Sequence, residues 1–430
     1  MASEAARRAV IVSGARTPFL RAFTDYTRMD SIALADAAVR GLLERTGLPG
    51  AQVQAIVWGG VILPSAAPNI AREIALDLGL DAGCEGYTVT RACASGLQAV
   101  TSAAAAIERG EYDIMIAGGS DSTSNAEVKL PQKLVHAGAP LALGKPKVKD
   151  YLSAAAQLAP FTDILPTRPK IAERTTGEVM GESAEKMARI HGVTRVEQDE
   201  FAARSHQRAA AAIDSGRFAD EVLRVRTPEG LDIDRDGLVR ADTNADKLAR
   251  LKPVFAKDGT VTAGNASPLT DGASAVLLMS EEKARELGYQ PLAAFRSWSY
   301  VSVDPADQVL IGPAISMPRA LDKAGMALAD IDLVDIHEAF AAQTLSVVRA
   351  LESTDWAKTR LDRDTAVGAI DIDKLNVHGG SVSLGHPFGA TGARMVTTMA
   401  NELARTGKST ALLGICAAGG IGASAVLERV

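Results

Sequence analysis

The chain has 430 residues, of which 47% are apolar, 4% are aromatic and 38 are glycine. This length exceeds one ordinary hydrophobic core, so two or three domains of closely packed helices and strands are expected. The formal net charge of −6, from 46 Lys and Arg against 52 Asp and Glu, excludes an overall attraction to nucleic acid or to anionic lipid.

The first predicted elements follow a β-α-β order. A β-like run at residues 8–13 is far too short for a signal peptide or a membrane span, so a cytoplasmic protein is expected. A helical pattern at residues 31–45 and a second β-like run at residues 53–58 follow. Further on, the alanine-rich helical stretch 95–108 leads into the apolar run 114–117.

The C-terminal half repeats this order. Residues 322–336 parallel residues 44–58, because each segment ends a helix at a glycine and continues into a β-like run. In the same way, the unit 392–414 echoes the unit 96–118. Similarity within each pair is thin, and two βα units that share only a packing rule are the alternative. We interpret the chain as two related α/β halves.

A segment of different character separates the two halves. Residues 125–267 are predicted to form an inserted loop domain, between an N-terminal half at 1–124, completed by about 268–290, and a C-terminal half at 291–430. Residues 129–174 carry eight Lys or Arg against three acidic residues, with several prolines. This basic excess suits the phosphates of a nucleotide-bearing substrate, a partner or a membrane. A solvated surface loop is the alternative.

The three cysteines are candidates for chemistry rather than for pairing. Cys84, Cys93 and Cys416 form no CxxC motif, so no metal site is predicted and a reducing compartment is indicated. Cys93 stands in the run RACASG, immediately before a helical stretch. Free N–H groups and the positive end of the helix dipole favour a nucleophilic thiolate there. The alternative is a small buried hydrophobic residue.

Two glycine-rich segments near the C-terminus carry further candidates. His386 lies in GGSVSLGHPFGATG, where glycines permit unusual backbone angles and the close approach of a ligand. A structural turn with a hydrogen-bonded histidine is the alternative. Cys416 ends an apolar run and precedes small residues whose N–H groups suit a developing oxyanion. Cysteine also serves as an acid or base, whereas a tight strand-to-turn passage is the other interpretation.

Five sequence blocks together resemble the thiolase family. They are CASG at Cys93, GTVTAGNAS at 259–267, HEAFA at 337–341, GHPFGATGAR at 385–394 and CAAGGIG from Cys416. The blocks occur in order over nearly the whole chain, so coincidence is implausible. The resemblance implies an α/β thiolase fold, with two similar βαβαβαββ-type halves forming a five-layered α/β/α/β/α core and an inserted loop domain.

The resemblance also implies a two-step, ping-pong acyl transfer. Cys93 is expected to carry the acyl chain as a thioester, while His386 takes its proton and contributes to an oxyanion site. Cys416 is expected to act as general acid and base at the alpha carbon. Backbone N–H groups of Cys93 and Ala418 are expected to stabilise the thioester oxygen, and His337 to hold the water at the second oxyanion.

His337 is the informative departure, because most thiolases carry asparagine in this block. The His-Glu-Ala-Phe variant resembles the thiolase subunit of the trifunctional enzyme and its bacterial relatives, which degrade fatty acyl-CoAs. A degradative 3-oxoacyl-CoA thiolase is therefore the leading hypothesis. The alternatives are an acetoacetyl-CoA thiolase that condenses two acetyl-CoA molecules, and a non-catalytic scaffold subunit. A ketosynthase pairs its cysteine with two histidines, and Cys416 argues against that class.

The resemblance extends to ligands and partners. Ser267 is expected near the pantetheine and Met180 beside the acyl pocket, with Phe340 and Phe388 lining it; ordinary core packing is the alternative for the last three. Relatives often have glycine where this chain has Pro268. CoA and acyl-CoA are expected as substrates, without a permanently bound cofactor or metal. The implied partners are a second copy, as a dimer or dimer of dimers, and a hydratase/dehydrogenase alpha subunit; no nucleic acid is expected, and the basic loop is a candidate for membrane contact.

Overall fold

The computed structural model describes residues 7–159 and 172–430. Of these, residues 7–125 and 172–430 form one compact unit, and residues 126–159 belong to a second. In the described ranges, no helix is long and apolar enough to cross a membrane. The strands are β1 (Ala9–Arg16), β2 (Leu20–Arg21), β3 (Ala55–Gly59), β4 (Glu85–Val89), β5 (Ile114–Ser122), β6 (Val225–Arg226), β7 (Asp232–Ile233), β8 (Thr270–Ser280), β9 (Ala293–Ser302), β10 (Leu333–Ile336), β11 (Thr410–Ala417) and β12 (Ile421–Arg429).

The helices begin where the sequence offers capping groups. Asp30 accepts the N–H groups of Ile32 and Ala33 at the start of the first helix, and Gly47 ends it in the left-handed region. The helices are α1 (Ser31–Thr46), α2 (Ile70–Asp77), α3 (Ser95–Glu108), α4 (Gln132–Leu143), α5 (Val148–Leu158), α6 (Met180–Ile190), α7 (Arg195–Asp214), α8 (Ala245–Ala249), α9 (Glu281–Glu286), α10 (Pro305–Gln308), α11 (Pro313–Ala324), α12 (Ala341–Glu352), α13 (Thr354–Arg360), α14 (Ser381–Leu384) and α15 (Ala390–Thr406).

One mixed sheet runs through the first unit in the order β10-β11-β12-β9-β1-β8-β5-β3-β4, with β2 paired to β8. β3 is parallel to β4 and β5, and β10 is parallel to β11, whereas the other pairs along the order are antiparallel. β1 and β9 pair only through Val10–Ile11 and Ala293–Ala294. This short contact joins two half-sheets.

The two half-sheets share one plan. From the junction outward, β1, β8, β5 and β3 follow the same sequence of pairings as β9, β12, β11 and β10, two antiparallel and then one parallel. The predicted counterparts therefore occupy matching places, with α3 leading to β5 as α15 leads to β11. The expectation of two similar halves is confirmed.

The helices form layers on both sides of the half-sheets. α3 and α15 pack on each other between the halves, while α1 and α2 cover one outer face and α11 with α12 the other. β5, β8 and β11 are buried along their whole length, which explains why their residues are mostly apolar or small instead of alternating with polar ones. The layers follow the predicted α/β/α/β/α order and bring the starts of α3 and α15 together.

The second compact unit lies within the predicted inserted loop domain. Residues 129–159 contain α4 and α5, which pack on each other with Ala137 and Ala154 buried. Pro140 lies inside α4. A proline lacks one N–H donor, and a helix that is held by packing tolerates this loss. The basic residues Arg168 and Lys170 lie outside the described residues. The predicted boundaries of the insert at 125–267 stay a proposal.

Candidate active site

Cys93 lies on a strained turn two residues before α3 begins. The preceding residue, Ala92, has a φ of 46°, a left-handed conformation that costs free energy for any residue with a Cβ atom. Ser95 stabilises the turn, because its hydroxyl accepts the N–H of Arg91 at 2.8 Å and donates to the carbonyl of Ala92 at 2.6 Å. The strained turn fixes the backbone from which the thiol projects.

Two glycines let α3 and α15 approach at backbone distance. A Cβ atom on Gly96 would lie 2.3 Å from the carbonyl oxygen of Gly389, and one on Gly392 would lie 2.3 Å from the backbone nitrogen of Leu97. Neither distance is tolerable for a side chain. The glycines of the CASG and GATG blocks therefore seat the helix after Cys93 against the helix after His386.

Cys93 and two histidines meet at this junction. The sulfur of Cys93 and one ring nitrogen each of His337 and His386 lie within 4.8 Å of one another. The two imidazole rings have centroids 4.1 Å apart with a tilt of 44°. His337 and His386 are buried, whereas Cys93 keeps part of its surface accessible. The three residues that the sequence placed in separate blocks thus form one cluster.

A hydroxyl anchors each histidine at Nδ1. Thr391 Oγ1 lies 2.6 Å from His386 Nδ1, and Ser381 Oγ lies 3.0 Å from His337 Nδ1. The Nε2 atoms of both rings are buried and have no hydrogen-bond partner among the described residues. A buried ring nitrogen without a partner is costly, so these two atoms are candidates for contact with substrate.

Burial keeps the cluster uncharged. It raises the pKa of Cys93 to about 12, against the opposing effect of the hydrogen bond from the Ala418 N–H. Burial, with a smaller contribution from the nearby Arg394, lowers the pKa of His386 to about 3. Burial, His386 and Arg394 shift the pKa of His337 in the same direction. The expected thiolate at the helix start is therefore outweighed by burial, and Cys93 rests as a thiol.

The second thiol lies at the end of β11. Cys416 is fully buried, and burial together with Cys93 raises its pKa well above the ordinary value, so it rests protonated. In the turn that follows, the N–H of Ala418 is hydrogen-bonded to the sulfur of Cys93. Gly419 and Gly420 both adopt left-handed backbone angles in this turn. The CAAGG block therefore supplies a protonated thiol and an N–H donor.

A buried carboxylate holds the segments that carry the two histidines. Glu338 accepts the Ser205 hydroxyl at 2.7 Å, the Asn376 amide at 2.7 Å and the Val382 N–H at 3.1 Å. Asn376 also bonds both backbone groups of Ile336. This network fixes the end of β10 against the start of α14, which contains Ser381.

A buried cation lies behind the histidines. Arg394 pairs with Asp335 at 3.2 Å, and both side chains are almost fully buried. The cation disfavours protonation of His337 and His386, which keeps both rings in the neutral form that a base or a ligand requires. Sequence reasoning did not identify this residue.

The predicted binding residues occupy the surroundings of the cluster. Ser267 is half-buried, and its hydroxyl donates to the carbonyl of Ala339 at 3.0 Å. Phe388 packs edge-on against His386 with ring centroids 5.1 Å apart. Met180 and Phe340 are partly buried against the hydrophobic cluster that contains Cys416. Ser267, Phe340 and Phe388 therefore adjoin the segments that carry the two histidines.

Several supporting residues carried no sequence signal. Ser381, Thr391 and Asn376 are ordinary small polar residues in glycine-rich runs, and only the folded chain reveals their partners. Glu173 accepts the N–H of Gly419 at 2.9 Å across 246 residues of sequence.

The presence of two histidines beside Cys93 also means that the histidine count alone does not exclude a ketosynthase.

Comparison with known proteins identifies the class. Residues 9–282 match the family model "Thiolase, N-terminal domain" and residues 289–429 match "Thiolase, C-terminal domain". The 3-ketoacyl-CoA thiolase of Serratia proteamaculans is 44% identical, covering 98% of this chain and 97% of its own. The 3-ketoacyl-CoA thiolase of Aliivibrio fischeri is 45% identical, covering 98% of this chain and 95% of its own. The crystal structure of the Bacillus anthracis acetyl-CoA acetyltransferase matches with a TM-score of 0.83, 35% identity and 100% coverage of both chains. The chain belongs to the thiolase family.

Proposed function

We propose that the chain is a 3-ketoacyl-CoA thiolase, an acetyl-CoA C-acyltransferase that cleaves 3-oxoacyl-CoA with CoA in fatty-acid β-oxidation. The observation that carries the proposal is the cluster of Cys93, His337 and His386, with Cys416 coupled to it electrostatically. It supplies a nucleophile, a base and a separate acid. The similarity to proteins named 3-ketoacyl-CoA thiolase over nearly the whole chain supports the same activity.

The first half-reaction transfers the acyl chain to the enzyme. His386 accepts the proton of Cys93 while the sulfur attacks the 3-oxo carbon and a sulfur–carbon bond forms. The bond between the second and third carbons then breaks, and its electron pair forms the enolate of acetyl-CoA. Cys416 donates its proton to that carbon. Acetyl-CoA leaves, and the shortened acyl chain remains on Cys93 as a thioester.

The second half-reaction returns the protons. The thiolate of Cys416 takes the proton of incoming CoA, whose sulfur attacks the thioester carbon. Cys93 leaves as a thiolate and regains its proton from His386. N–H groups of Cys93 and Ala418 stabilise the oxyanion on the nucleophile side, and His386 with a water held by His337 stabilises the other. The neutral ring of His386 first serves as the base, and the proton that it accepts from Cys93 is then available for donation to the second oxyanion.

Substrate contacts follow the positions of the surrounding side chains. Ser267 is proposed to lie along the pantetheine, because it adjoins the block that carries His337. Met180, Phe340 and Phe388 are proposed to line the acyl pocket, since all three are apolar, Phe388 packs against His386, and Met180 and Phe340 pack against the hydrophobic cluster that contains Cys416. The chemistry needs CoA and acyl-CoA as substrates and no permanently bound cofactor.

The proposal includes location and partners. We propose a cytoplasmic homodimer or dimer of dimers that associates with a hydratase/dehydrogenase alpha subunit. The second compact unit is proposed to contact a membrane surface, because Leu143, Val148 and Leu152 are more than half exposed beside the exposed Lys145 and Lys147. Light scattering reports the assembly, and co-sedimentation with anionic against neutral vesicles reports membrane contact.

The activity is tested by a chain-length profile. CoA-dependent cleavage should extend from acetoacetyl-CoA to medium- and long-chain 3-oxoacyl-CoAs. The competing function is the condensation of two acetyl-CoA molecules, favoured by the structural similarity to a protein titled acetyl-CoA acetyltransferase. Cleavage of acetoacetyl-CoA without cleavage of longer substrates would establish that competitor and reject the degradative proposal.

A further inference from the structure

The cluster of Cys93, His337 and His386 has the composition of a transition-metal site. It combines one thiol with two imidazoles whose candidate ligand atoms lie within 4.8 Å of one another. We propose that these three residues reversibly bind Zn²⁺, and that the bound ion blocks acyl transfer. This ion is an inhibitor and not a resident cofactor, so the proposal goes beyond the thiolase activity.

The free ring nitrogens point to a ligand independently of the thiol. Both Nε2 atoms are buried and lack a partner among the described residues. Each ring has its Nδ1 beside a hydroxyl, of Ser381 or of Thr391. An outer hydrogen bond of this kind fixes the tautomer of a metal-binding histidine, leaving the other nitrogen free to coordinate.

The spacing accommodates a tetrahedral ion after a small contraction. Bond lengths of about 2.3 Å to sulfur and about 2.0 Å to nitrogen place tetrahedral ligand atoms roughly 3.3–3.6 Å apart. Cys93 and the two rings therefore need to close by at most roughly 1.5 Å from their limit of 4.8 Å. Such a movement is within the range of side-chain rotation, since Cys93 lies at the accessible edge of the cluster.

The chemistry of the donors selects the ion. A thiolate and two imidazoles favour Zn²⁺ over Mg²⁺ or Ca²⁺, which require oxygen ligands. Among the charged groups near the cluster, Arg394 opposes a cation and is paired with Asp335. The Asp121 carboxylate, which acts electrostatically on Cys93, favours it.

Coordination removes the nucleophile from the reaction. The zinc–sulfur bond forms as the sulfur–hydrogen bond of Cys93 breaks, and the proton passes to solvent. With Nε2 of both histidines also coordinated, His386 no longer accepts a proton. A water molecule or the thiol of CoA completes the tetrahedron. The ion is therefore expected to compete with the 3-oxoacyl-CoA substrate.

Zinc competition with a chromophoric chelator measures binding without reference to catalysis. Tag-free protein should bind one Zn²⁺ per chain and show no response to Mg²⁺. The variant His337→Asn, which restores the residue that most thiolases carry, should weaken zinc binding at least tenfold. The exposed His136→Asn, a matched substitution outside the site, should bind zinc as the wild type does.

Alkylation locates the ion. Zinc should protect Cys93 from iodoacetamide in peptide mass spectrometry, with circular dichroism confirming that each variant is folded. Equal zinc affinity in wild type and His337→Asn, or alkylation of Cys93 that zinc does not slow, would overturn the proposal. Because thiolysis is assayed separately in zinc-free buffer, failure of the metal site and failure of the thiolase activity are distinguishable.

Discussion

The carboxylate of Glu173 accepts the backbone N–H of Gly419 at 2.9 Å, and this contact holds the turn that directs the Ala418 N–H to the sulfur of Cys93. The same carboxylate accepts the backbone N–H and the hydroxyl of Thr175 at 3.3 and 3.0 Å. Glu173 is buried and does not touch the reacting atoms. It is a positioning residue for the oxyanion donor.

Replacing this carboxylate is expected to reduce turnover without unfolding the protein. Glu173→Ala releases Gly419, and kcat should fall roughly tenfold, short of the hundredfold or greater loss that follows removal of an oxyanion donor. KM should change little, because the loss concerns the transition state. Steady-state kinetics measure the split, with the exposed Glu352→Ala as control. A change confined to KM would contradict the positioning role.

The pair of His337 and Ser381 is expected to behave as one unit. Removing the hydroxyl in Ser381→Ala frees the His337 ring. We expect kcat/KM to fall roughly fivefold, which corresponds to the free energy of about one hydrogen bond. In the His337→Asn background the same change should have almost no effect, because the partner is gone. A double-mutant cycle on kcat/KM measures this. Additive effects would show that Ser381 acts independently of His337.

The pH dependence of the first half-reaction follows from the buried histidine. Since burial lowers the pKa of His386 from 6.5 to about 3, its neutral form persists as the pH falls through 6.5 and is lost only near 3. The stability that the neutral ring contributes is likewise complete above 6.5 and lost as the pH falls toward 3. The value of kcat/KM for 3-oxoacyl-CoA should therefore stay flat through pH 6.5. An acid limb centred there would contradict the buried environment.

A buried ion pair is expected to dominate local stability near the N-terminus. Arg16 contacts Asp236 at 2.6 Å and Glu221 at 2.8 Å, all three being almost fully buried. Asp236→Ala leaves the cation incompletely paired and should lower the free energy of unfolding by about 3–5 kcal/mol. The control Asp232→Ala, which breaks an exposed pair with Arg224, should have little effect. Urea unfolding compares them, and equal shifts of the midpoint would reject the assignment.

Local sequence patterns predicted the elements that carry the reactive groups. The helix expected at residues 95–108 is α3 without any shift, because alanine spacing and a terminal glycine suffice to define it. Cys93, His386 and Cys416 were candidates because each is a reactive side chain at a helix start, a glycine-rich run or a strand end. The prediction that these three residues share one site rested on the five sequence blocks taken together.

Long-range contacts were not predictable in the same way. The antiparallel pairings of β8, β9 and β12 depend on register between distant segments, and Glu173 meets Gly419 only after folding. The charge state of Cys93 also depended on the whole environment, since the helix terminus suggested a lower pKa whereas burial raises it. Strand register, the contact of Glu173 with Gly419 and the charge state of Cys93 therefore depend on tertiary packing and not on local sequence.

Acyl transfer through Cys93 is tested most directly by mass spectrometry of the protein after incubation with acetyl-CoA. One acetyl group is expected on the peptide that contains Cys93, formed in wild type, formed more slowly in Cys416→Ser because Cys416 also protonates the departing CoA, and absent in Cys93→Ser. Cys416→Ser should nevertheless lose thiolysis, because carbon protonation needs its thiol. Folded wild-type protein that acquires no acetyl group on Cys93, or that acquires it on another residue, would contradict the account.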